Sequence, residues 1–503
     1  MSLAASSSRI PAPVDLSSPP SPAAYRKRIG AAFHNLPREH GFEPLEVEGD
    51  LPRDLTGTLW RNGPALFEIF GRSYHHWFDG DGAISAVRFA EGAALGACRV
   101  TVSERLARER AAGRALYASG TTPATSWFRQ VGGRAKNVAN ISVLQWQGRY
   151  YAMPEGNKPI EFDPETLETR GELPWASLRA GTHAHYRACP RSGDTFAFGV
   201  TYGRHTTLDV HRLPASGPAR QMVSIPLPGP RVMLHDMAMS ESHLVFLVHP
   251  VDISVLPVLL GFRAAIEAMN WSPEQGTEVI VVPRAEPERF VRFSTDAFFH
   301  FHFGNAFDRA DGAIAVDLAH LPTFTIDRTL TLEKMRTGEL GDGEAPRTTY
   351  RRAIVEPQRQ ALHFETLCSR LCEFPVTDPR VQGRDARFVY LVAGDEVDDG
   401  DDGDDGDDGL GAAAAQVVRL DTTTGDTVAV PRRPYEQPGE VTFVPRSQDA
   451  GPDDGWLLTL CYDGERHQSC VQVIDAASLE RGPLARCWFD HHIPPALHGC
   501  FTR

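Results

Sequence analysis

The sequence has 503 residues, of which 42% are hydrophobic and 23% are charged, so it can bury a full hydrophobic core. Its net charge of −14, without a long run of lysine or arginine, argues against a nucleic-acid partner, because phosphate recognition needs a basic face. The eight cysteines form no CxxC pair and predict reduced thiols in a cytoplasmic protein. No stretch has the roughly 18 uncharged apolar residues of a membrane-spanning helix.

Residues 1–25 are rich in serine, proline and alanine. They lack the basic and apolar regions of a secretory signal and predict a flexible arm. Residues 26–503 are then predicted to form a single domain.

Short apolar or aromatic runs recur along this domain, usually with glycine, aspartate or proline nearby. Examples are 143–152, 195–200, 244–249, 313–318, 388–392 and 456–461. Such spacing is typical of an all-β sandwich, barrel or propeller.

A weak internal repeat favours the propeller. Residues 162–167 (FDPETL), 420–425 (LDTTTG) and 474–479 (IDAASL) each contain an apolar residue, an aspartate, two variable positions, and then threonine or serine. An aspartate that caps a turn in this way is common in hairpins, and hairpins of one design predict repeated blades.

Three segments depart from the strand pattern. Residues 103–118 are charged and alanine-rich and predict a helix, and residues 251–269 are more apolar. Pro257 and Gly261 prevent one uninterrupted helix in the second segment. It is interpreted either as a buried cap or as an apolar lip for peripheral contact with a membrane. The acidic run 398–409 (DDGDDGDDGDDG) predicts a solvated low-complexity insertion.

Several of the nineteen histidines lie where a polar ring is unexpected. His183 and His185 are two residues apart, as are His300 and His302, so either pair could direct rings from one face of a strand. Further candidates are His235 and His498. Imidazole is a good ligand for Fe(II), Zn(II) or Cu(II), but spacing alone does not choose within either pair.

Several motifs in order resemble one family. They are residues 57–64 (GTLWRNGP), 76–82 (HWFDGDG), 302–307 (HFGNAF) and 498–501 (HGCF), together with His235-Asp236. The sequence from about Phe42 to Arg503 resembles the carotenoid cleavage oxygenases, which include apocarotenoid oxygenases, stilbene-cleaving enzymes and the retinoid isomerohydrolase.

This resemblance implies a seven-bladed β-propeller with a helical cap, at about 103–118 and 251–269, over the metal-bearing face. It also implies an iron ion on the axis, held by four histidines. Position by position, these are His185, His235, His302 and His498. Tyr186 stands where the family usually has a proline after its Ala-His pair.

The resemblance further implies three glutamates behind the ligands, Glu155 with His235, Glu373 with His302, and Glu440 with His498. A carboxylate that accepts the far N–H of a ligand fixes the tautomer of the ring and raises its basicity. The HWFDGDG motif is interpreted as a structural turn without a catalytic role.

The activity so implied is cleavage of a carbon–carbon double bond in a carotenoid or apocarotenoid, by Fe(II) and O2, to carbonyl products. The expected partner is an apolar polyene in a cytoplasmic protein with peripheral membrane contact through 251–269. Stilbenoid cleavage is an alternative, weakened because Pro154 stands where those relatives carry a lysine. A second alternative is a non-catalytic propeller that binds lipophilic ligands, with a closed structural metal site.

Overall fold

The computed structural model describes residues 21–124, 135–172, 182–201, 206–229, 231–259, 266–325, 329–338, 347–396 and 415–503. The predicted insertion at 398–409 lies outside these residues, as does most of the predicted arm at 1–25. The predicted end of that arm is wrong, because a helix already begins at Pro22 and buries the side chain of Tyr25.

Helices are few in the described part of the chain. The α-helices are α1 Pro22–Ile29, α2 Glu104–Ala112, α3 Val255–Leu259 and α4 Leu332–Thr337. Short 3-10 helices are Gly30–Ala32, Trp77–Asp79, Ile266–Ala268, Pro273–Gln275, Pro287–Arg289, Pro379–Val381 and Leu479–Arg481. None of the helices among these described residues is long and apolar enough to cross a membrane.

Strands make up most of the fold. The first half of the described chain contains β1 His40–Pro44, β2 Glu46–Gly49, β3 Gly57–Leu66, β4 Glu68–Ile69, β5 Arg72–Ser73, β6 Asp81–Ala90, β7 Ala93–Val100, β8 Ser142–Trp146, β9 Arg149–Met153, β10 Ile160–Phe162, β11 Thr169–Glu172, β12 Tyr186–Ala188, β13 Thr195–Thr201, β14 Thr207–Leu213, β15 Arg220–Pro226, β16 Ala238–Met239 and β17 His243–Val248.

The second half contains β18 Val251–Ile253, β19 Met269–Trp271, β20 Thr277–Pro283, β21 Val291–Thr295, β22 Phe299–Asp308, β23 Ile314–Leu321, β24 Thr349–Glu356, β25 Ala361–Cys368, β26 Arg370–Val376, β27 Phe388–Glu396, β28 Gln416–Asp421, β29 Thr427–Ala429, β30 Glu436–Pro445, β31 Gly455–Asp463, β32 Gln468–Asp475, β33 Pro483–Trp488 and β34 His498–Thr502.

These strands form a seven-bladed β-propeller, as predicted. From the axis outward, the blades are β34-β3-β6-β7-β1, β8-β9-β10-β11, β12-β13-β14-β15, β16-β17-β20-β21, β22-β23-β24-β25, β26-β27-β28-β29 and β30-β31-β32-β33-β2. Two small hairpins, β4-β5 and β18-β19, stand outside the blades. Both ends of the chain close the ring, since β34 completes the first blade and β2 completes the last.

The hydrophobic core lies between neighbouring blades. Along β17, Leu244 and Phe246 pack against the third blade, whereas Val245 and Leu247 pack against the fifth. Successive side chains of a strand point to opposite faces, so a strand covered on both faces must be apolar throughout. This explains why the sequence shows continuous apolar runs rather than alternation.

The predicted repeat corresponds to one hairpin in three blades. Asp163 follows β10, Asp421 ends β28 and Asp475 ends β32, in each case before the last hairpin of its four-stranded unit. The Oδ1 atom of each aspartate accepts a hydrogen bond from a backbone N–H two residues later, at 2.8, 3.0 and 2.9 Å. The repeated residues therefore mark structurally equivalent turns.

The helical segments agree with the sequence only in part. Residues 103–118 contain α2, which Ser103 caps by accepting from the N–H of Leu106. The described parts of 251–269 include β18, α3, the 3-10 helix Ile266–Ala268 and the first residue of β19, so this segment contains both helical and extended backbone. The helices α1 and α4, which were not predicted, pack together and line the central cavity.

A buried ionic cluster joins α2 to the HWFDGDG segment. The ammonium of Lys136 lies 2.7 Å from Oδ2 of Asp81 and 2.9 Å from Oε2 of Glu109, and all three side chains are 1% exposed. The hydroxyl of Tyr74 donates to Asp81 at 3.0 Å. The second aspartate of the motif therefore has a structural role.

Replacing Lys136 by methionine should lower the free energy of unfolding by about 3–5 kcal/mol, because two buried carboxylates lose their cation. The matched control is Arg359→Met, whose guanidinium is 78% exposed beside Glu356. That change should cost no more than about 1 kcal/mol. Denaturant unfolding measures both, and equal effects would contradict the structural role of Lys136.

Candidate metal centre

Four histidines from distant parts of the chain meet at the axial ends of four blades. His185 immediately precedes β12, and His235 lies three residues before β16. His302 lies in β22, and His498 is the first residue of β34. Because the axial strand of each blade approaches the same axis, residues far apart in sequence become neighbours.

The rings lie close enough to share one ion. One ligand atom from each histidine lies within 4.8 Å of the others. The Nε2 atoms of His185 and His235 are 3.0 Å apart, and the ring centroids of His185 and His498 are 4.5 Å apart. Bonds of about 2.1 Å to adjacent positions of an octahedral ion would place two nitrogens about 3.0 Å apart.

Carboxylates hold the far side of the rings. Nδ1 of His302 lies 2.5 Å from Glu373, and Nδ1 of His498 lies 2.7 Å from Glu440. Each contact turns Nε2 of the ring toward the centre as an acceptor. Nε2 of His302 is buried and has no hydrogen-bond partner among the described residues. A cation at the centre would satisfy it, so the residues fit a metal ion.

Bulges in the axial strands direct these side chains. The strand register shifts between His300 and Phe303 in β22, next to Glu373 in β26, and across Gly439 and Glu440 in β30. A bulge bends a strand and changes the direction of its side chains. In β22 it accompanies the divergence of the two histidines, since Nδ1 of His300 lies 2.6 Å from His249 instead of facing the centre.

The third predicted glutamate has two partners. Oε2 of Glu155 lies 3.4 Å from Nδ1 of His235, and Oε1 makes a short contact with Nδ1 of His183. The ring of His183 also stacks on Phe198, with centroids 4.8 Å apart. His183 is therefore outside the group of four and contacts the carboxylate behind it.

Sequence reasoning did not identify three further groups around the centre. Asp236 lies 3.6 Å from Nδ1 of His185, and the guanidinium of Arg187 lies 2.6 Å from Asp236. Arg61 lies 2.8 Å from Glu440 and donates to the carbonyl of Leu497 at 2.6 Å. Arg61 belongs to the GTLWRNGP motif and Asp236 to the His-Asp pair. The sequence motifs therefore contained both residues but did not indicate their roles.

The charges around the centre favour a divalent cation. Four carboxylates contact the four rings, and arginines pair with two of these carboxylates. With neutral imidazoles, two negative charges remain. One divalent ion would balance them.

The shifts in pKa follow from burial and from these pairs. Burial, reinforced by the neighbouring histidines, holds the pKa of His185 well below its ordinary value. Burial alone would raise the pKa of Glu440, but His498 and Arg61 outweigh it and lower the pKa to about 2. The pKa of Glu155 is lowered in the same way by His183 and His235. These pKa values therefore favour a neutral His185 ring and ionised Glu155 and Glu440 at neutral pH.

The pKa of His302 shifts in the opposite direction. Burial tends to lower it, but the attraction of Glu373 is greater and raises it. A metal ion would have to displace a proton from this ring more often than from His185 or His498, whose pKa values burial lowers.

A cavity of about 820 Å³ reaches the centre. His235, His302 and His498 lie on its wall. The aromatic side chains on the wall include Phe33, Trp77, Phe78, Phe301, Phe324 and Phe374. Of the phenylalanines at 298–303, Phe301 lines the cavity, whereas Phe298, Phe299 and Phe303 belong to the core.

Residues 33–503 match the family model described as Retinal pigment epithelial membrane protein. The chain belongs to this family of carotenoid cleavage oxygenases. It is 30% identical to apocarotenoid-15,15'-oxygenase from Synechocystis over 487 residues, which cover 94% of the chain and 95% of the relative. It is 28% identical to isoeugenol monooxygenase from Pseudomonas putida, with 91% and 94% covered.

The fold agrees with solved structures of the same family. Cobalt-substituted apocarotenoid oxygenase from Synechocystis superposes with a TM-score of 0.85 at 28% identity, covering 95% of this chain and 99% of that one. The predicted resemblance, the propeller and the reaction class, oxidative cleavage of a carbon–carbon double bond, are confirmed. The chain is therefore an enzyme, contrary to the alternative of a non-catalytic propeller.

Replacing His302 by alanine should abolish tight binding of a divalent metal at the four-histidine centre, whereas His300→Ala should retain it. His302 faces the other three rings, but His300 faces His249. Metal content after loading with Fe(II) or Co(II) and desalting measures the difference, and unfolding curves establish that both variants fold.

The same assay tests the carboxylates. Glu440→Gln should weaken metal binding by about 10–100-fold, because the amide orients His498 less firmly.

Retention of metal by His302→Ala, together with its loss from His300→Ala, would show that the other ring of the pair is the ligand.

Proposed function

We propose that His185, His235, His302 and His498 bind Fe(II), and that the protein uses O2 to cleave a double bond of an apocarotenoid into two carbonyl products. The observation that carries this proposal is the convergence of four imidazoles, without a carboxylate among them, at a large aromatic cavity. Bound ferrous iron would supply the oxygen chemistry that the side chains of the protein lack.

The protein itself would orient and protect the reactants. Access to the centre is one-sided, because three of the four rings line the cavity and His185 does not. Glu373 and Glu440 hold their histidines from behind, which keeps the ligand set in place before the substrate enters. Aromatic walls would exclude water and hold an extended polyene.

Two positions on the cavity wall favour an apolar polyene over a phenol. Lys136 lies on the wall, but its ammonium is already engaged with Asp81 and Glu109. Pro154, which precedes Glu155 on the wall, offers no cation. The similarity to isoeugenol monooxygenase supports a phenolic alkene as the second candidate.

A substrate panel tests the choice. Iron-loaded protein should convert apocarotenals to two carbonyl products, detected by mass spectrometry, in air but not under argon. Carotenoids, stilbenes and isoeugenol serve as comparison substrates, and His300→Ala serves as the folded, active control for an inactive His302→Ala. Cleavage of phenolic alkenes without any cleavage of apocarotenoids would overturn the substrate assignment.

We also propose that the 251–269 region contacts a membrane surface. Leu256, in α3, is 66% exposed, and Phe70 is the only other large hydrophobic side chain exposed among the described residues. An exposed leucine suits insertion among lipid headgroups. The neighbouring Pro257 and Val258 are half-buried.

Leu256→Asp should reduce co-sedimentation with phosphatidylcholine vesicles, because it places a charge where an apolar side chain would enter the lipid. Phe70→Asp is the matched control, since Phe70 is 39% exposed but lies between Glu68 and Arg72 in the β4-β5 hairpin. Equal loss of binding in both variants, or no binding by the original protein, would contradict the assignment.

A further inference from the structure

A second group of potential metal ligands lies at the seam where the propeller closes. His40 belongs to β1 and Cys98 to β7, both in the outer part of the first blade. His491 belongs to the segment that joins β33 of the last blade to β34 of the first. One ligand atom from each lies within 4.8 Å of the other two. None of these residues lines the central cavity.

The register of the first blade brings the group together. His40 lies directly opposite Cys98 in the antiparallel pair of β1 and β7, so the two side chains share one face. The ring of His491 approaches both, with its centroid 5.2 Å from that of His40 at an interplanar angle of 83°. All three side chains are buried.

In the rings of His40 and His491, hydrogen bonds at Nδ1 leave the lone pair on Nε2. Nδ1 of His491 lies 2.7 Å from the carboxylate of Asp490. Nδ1 of His40 lies 2.9 Å from the carbonyl of Gly41 and 3.4 Å from the carboxylate of Glu43. Since both contacts require Nδ1 to donate, Nε2 of each neutral ring is an acceptor.

The protein leaves one of these acceptors unsatisfied. The single S–H of Cys98 has two possible acceptors, the carbonyl of Arg38 at 3.2 Å and Nε2 of His491 at 3.5 Å. Nε2 of His40 has no hydrogen-bond partner in the described parts of the chain, although its side chain is only 7% exposed. A buried acceptor without a partner is rare and costs about 1–3 kcal/mol.

We propose that His40, Cys98 and His491 bind a divalent transition metal of the zinc class. A thiolate and two imidazoles are suitable ligands for zinc, and water would complete a tetrahedron. Zinc–nitrogen and zinc–sulfur bonds of about 2.0 and 2.3 Å at the tetrahedral angle place the two ligand atoms about 3.5 Å apart. This is the distance from Nε2 of His491 to Sγ of Cys98, at 3.5 Å.

The carboxylates behind the rings support a cation at this position. Asp490 contacts His491 and Glu43 contacts His40, which is the arrangement that orients metal-bound histidines in proteins. The guanidinium of Arg38 lies 2.8 Å from Asp490 and also pairs with Glu43. The thiolate would supply negative charge directly to the ion, and the carboxylates would stabilise it from outside.

The site would brace the closure of the propeller. The first blade joins β1, near the N-terminus, to β34, at the C-terminus, and the segment before β34 carries His491. An ion bound by all three residues would fasten this segment to the outer edge of the first blade. Metal binding that requires the folded arrangement stabilises the folded state. This role does not depend on the proposed iron centre.

Cobalt titration of the full-length protein, after metal removal with a chelator, tests the site. Cobalt bound to a thiolate absorbs in the near ultraviolet by charge transfer from sulfur, which four histidines cannot produce. The original protein should gain this absorption by the addition of two equivalents of Co(II), one for each centre, and Zn(II) should remove it. Cys98→Ser should lose the absorption and bind one ion fewer, while retaining metal at the four-histidine centre.

Cys487→Ser is the matched control, because Cys487 is buried in the same core cluster as Cys98 but is absent from the ligand group. It should keep the absorption. Zinc should raise the melting temperature of the original protein and of Cys487→Ser by more than that of Cys98→Ser or His491→Ala, because the four-histidine centre is present in all four. If Cys98→Ser fails to fold, His491→Ala decides the question. An original protein without sulfur absorption, or unchanged absorption in Cys98→Ser or His491→Ala, would overturn the proposal.

Discussion

The metal centre depends on the fold holding four imidazole rings close together against the repulsion between their nitrogen lone pairs. Nε2 of His185 and Nε2 of His235 are 3.0 Å apart, and two lone pairs at that distance repel unless a proton or a cation lies between them. The carboxylates behind the rings determine which of these occurs. Because Glu373 and Glu440 engage Nδ1 of their histidines, the inward nitrogens remain free to accept. The surrounding fold maintains this arrangement of ligands and counter-charges.

Ring closure is therefore part of building the site. His498 comes from the final strand, which completes the first blade beside β3. Its carboxylate partner Glu440 comes from the last blade, and Arg61 of β3 joins the two by contacting both Glu440 and the carbonyl of Leu497. The ligand set is thus complete only when the ends of the chain have met. Contacts of such large sequence separation form at a high entropic cost, which explains why two strands, β34 and β2, fasten the seam.

The parts of this structure that the sequence predicted are those with a local cause. The aspartate turns of the repeat were predictable because a side chain caps backbone groups two residues away. The choice of His302 over His300 was not available from spacing, since a register shift in β22 separates two rings that a regular strand would place together. The role of Asp236 and the helices α1 and α4 were not predicted, because each depends on contacts with distant segments of the chain. Proline and glycine correctly excluded a long helix at 251–269, but they could not reveal the hairpin of β18 and β19.

The two groups of ligands differ in where they place their negative charge. In the seam the sulfur of Cys98 would neutralise part of the ionic charge within the ligand set itself, which suits an ion that has only to hold the chain together. On the axis all four ligand atoms belong to imidazole rings, and the carboxylates lie behind these rings, at Glu155, Glu373, Glu440 and Asp236. An ion held in that way is balanced overall but keeps its charge concentrated toward the cavity, where three of its ligands are exposed to an incoming reactant. The same fold would therefore provide an inert brace where the anion is itself a ligand, and a reactive centre where the anions lie behind the ligands.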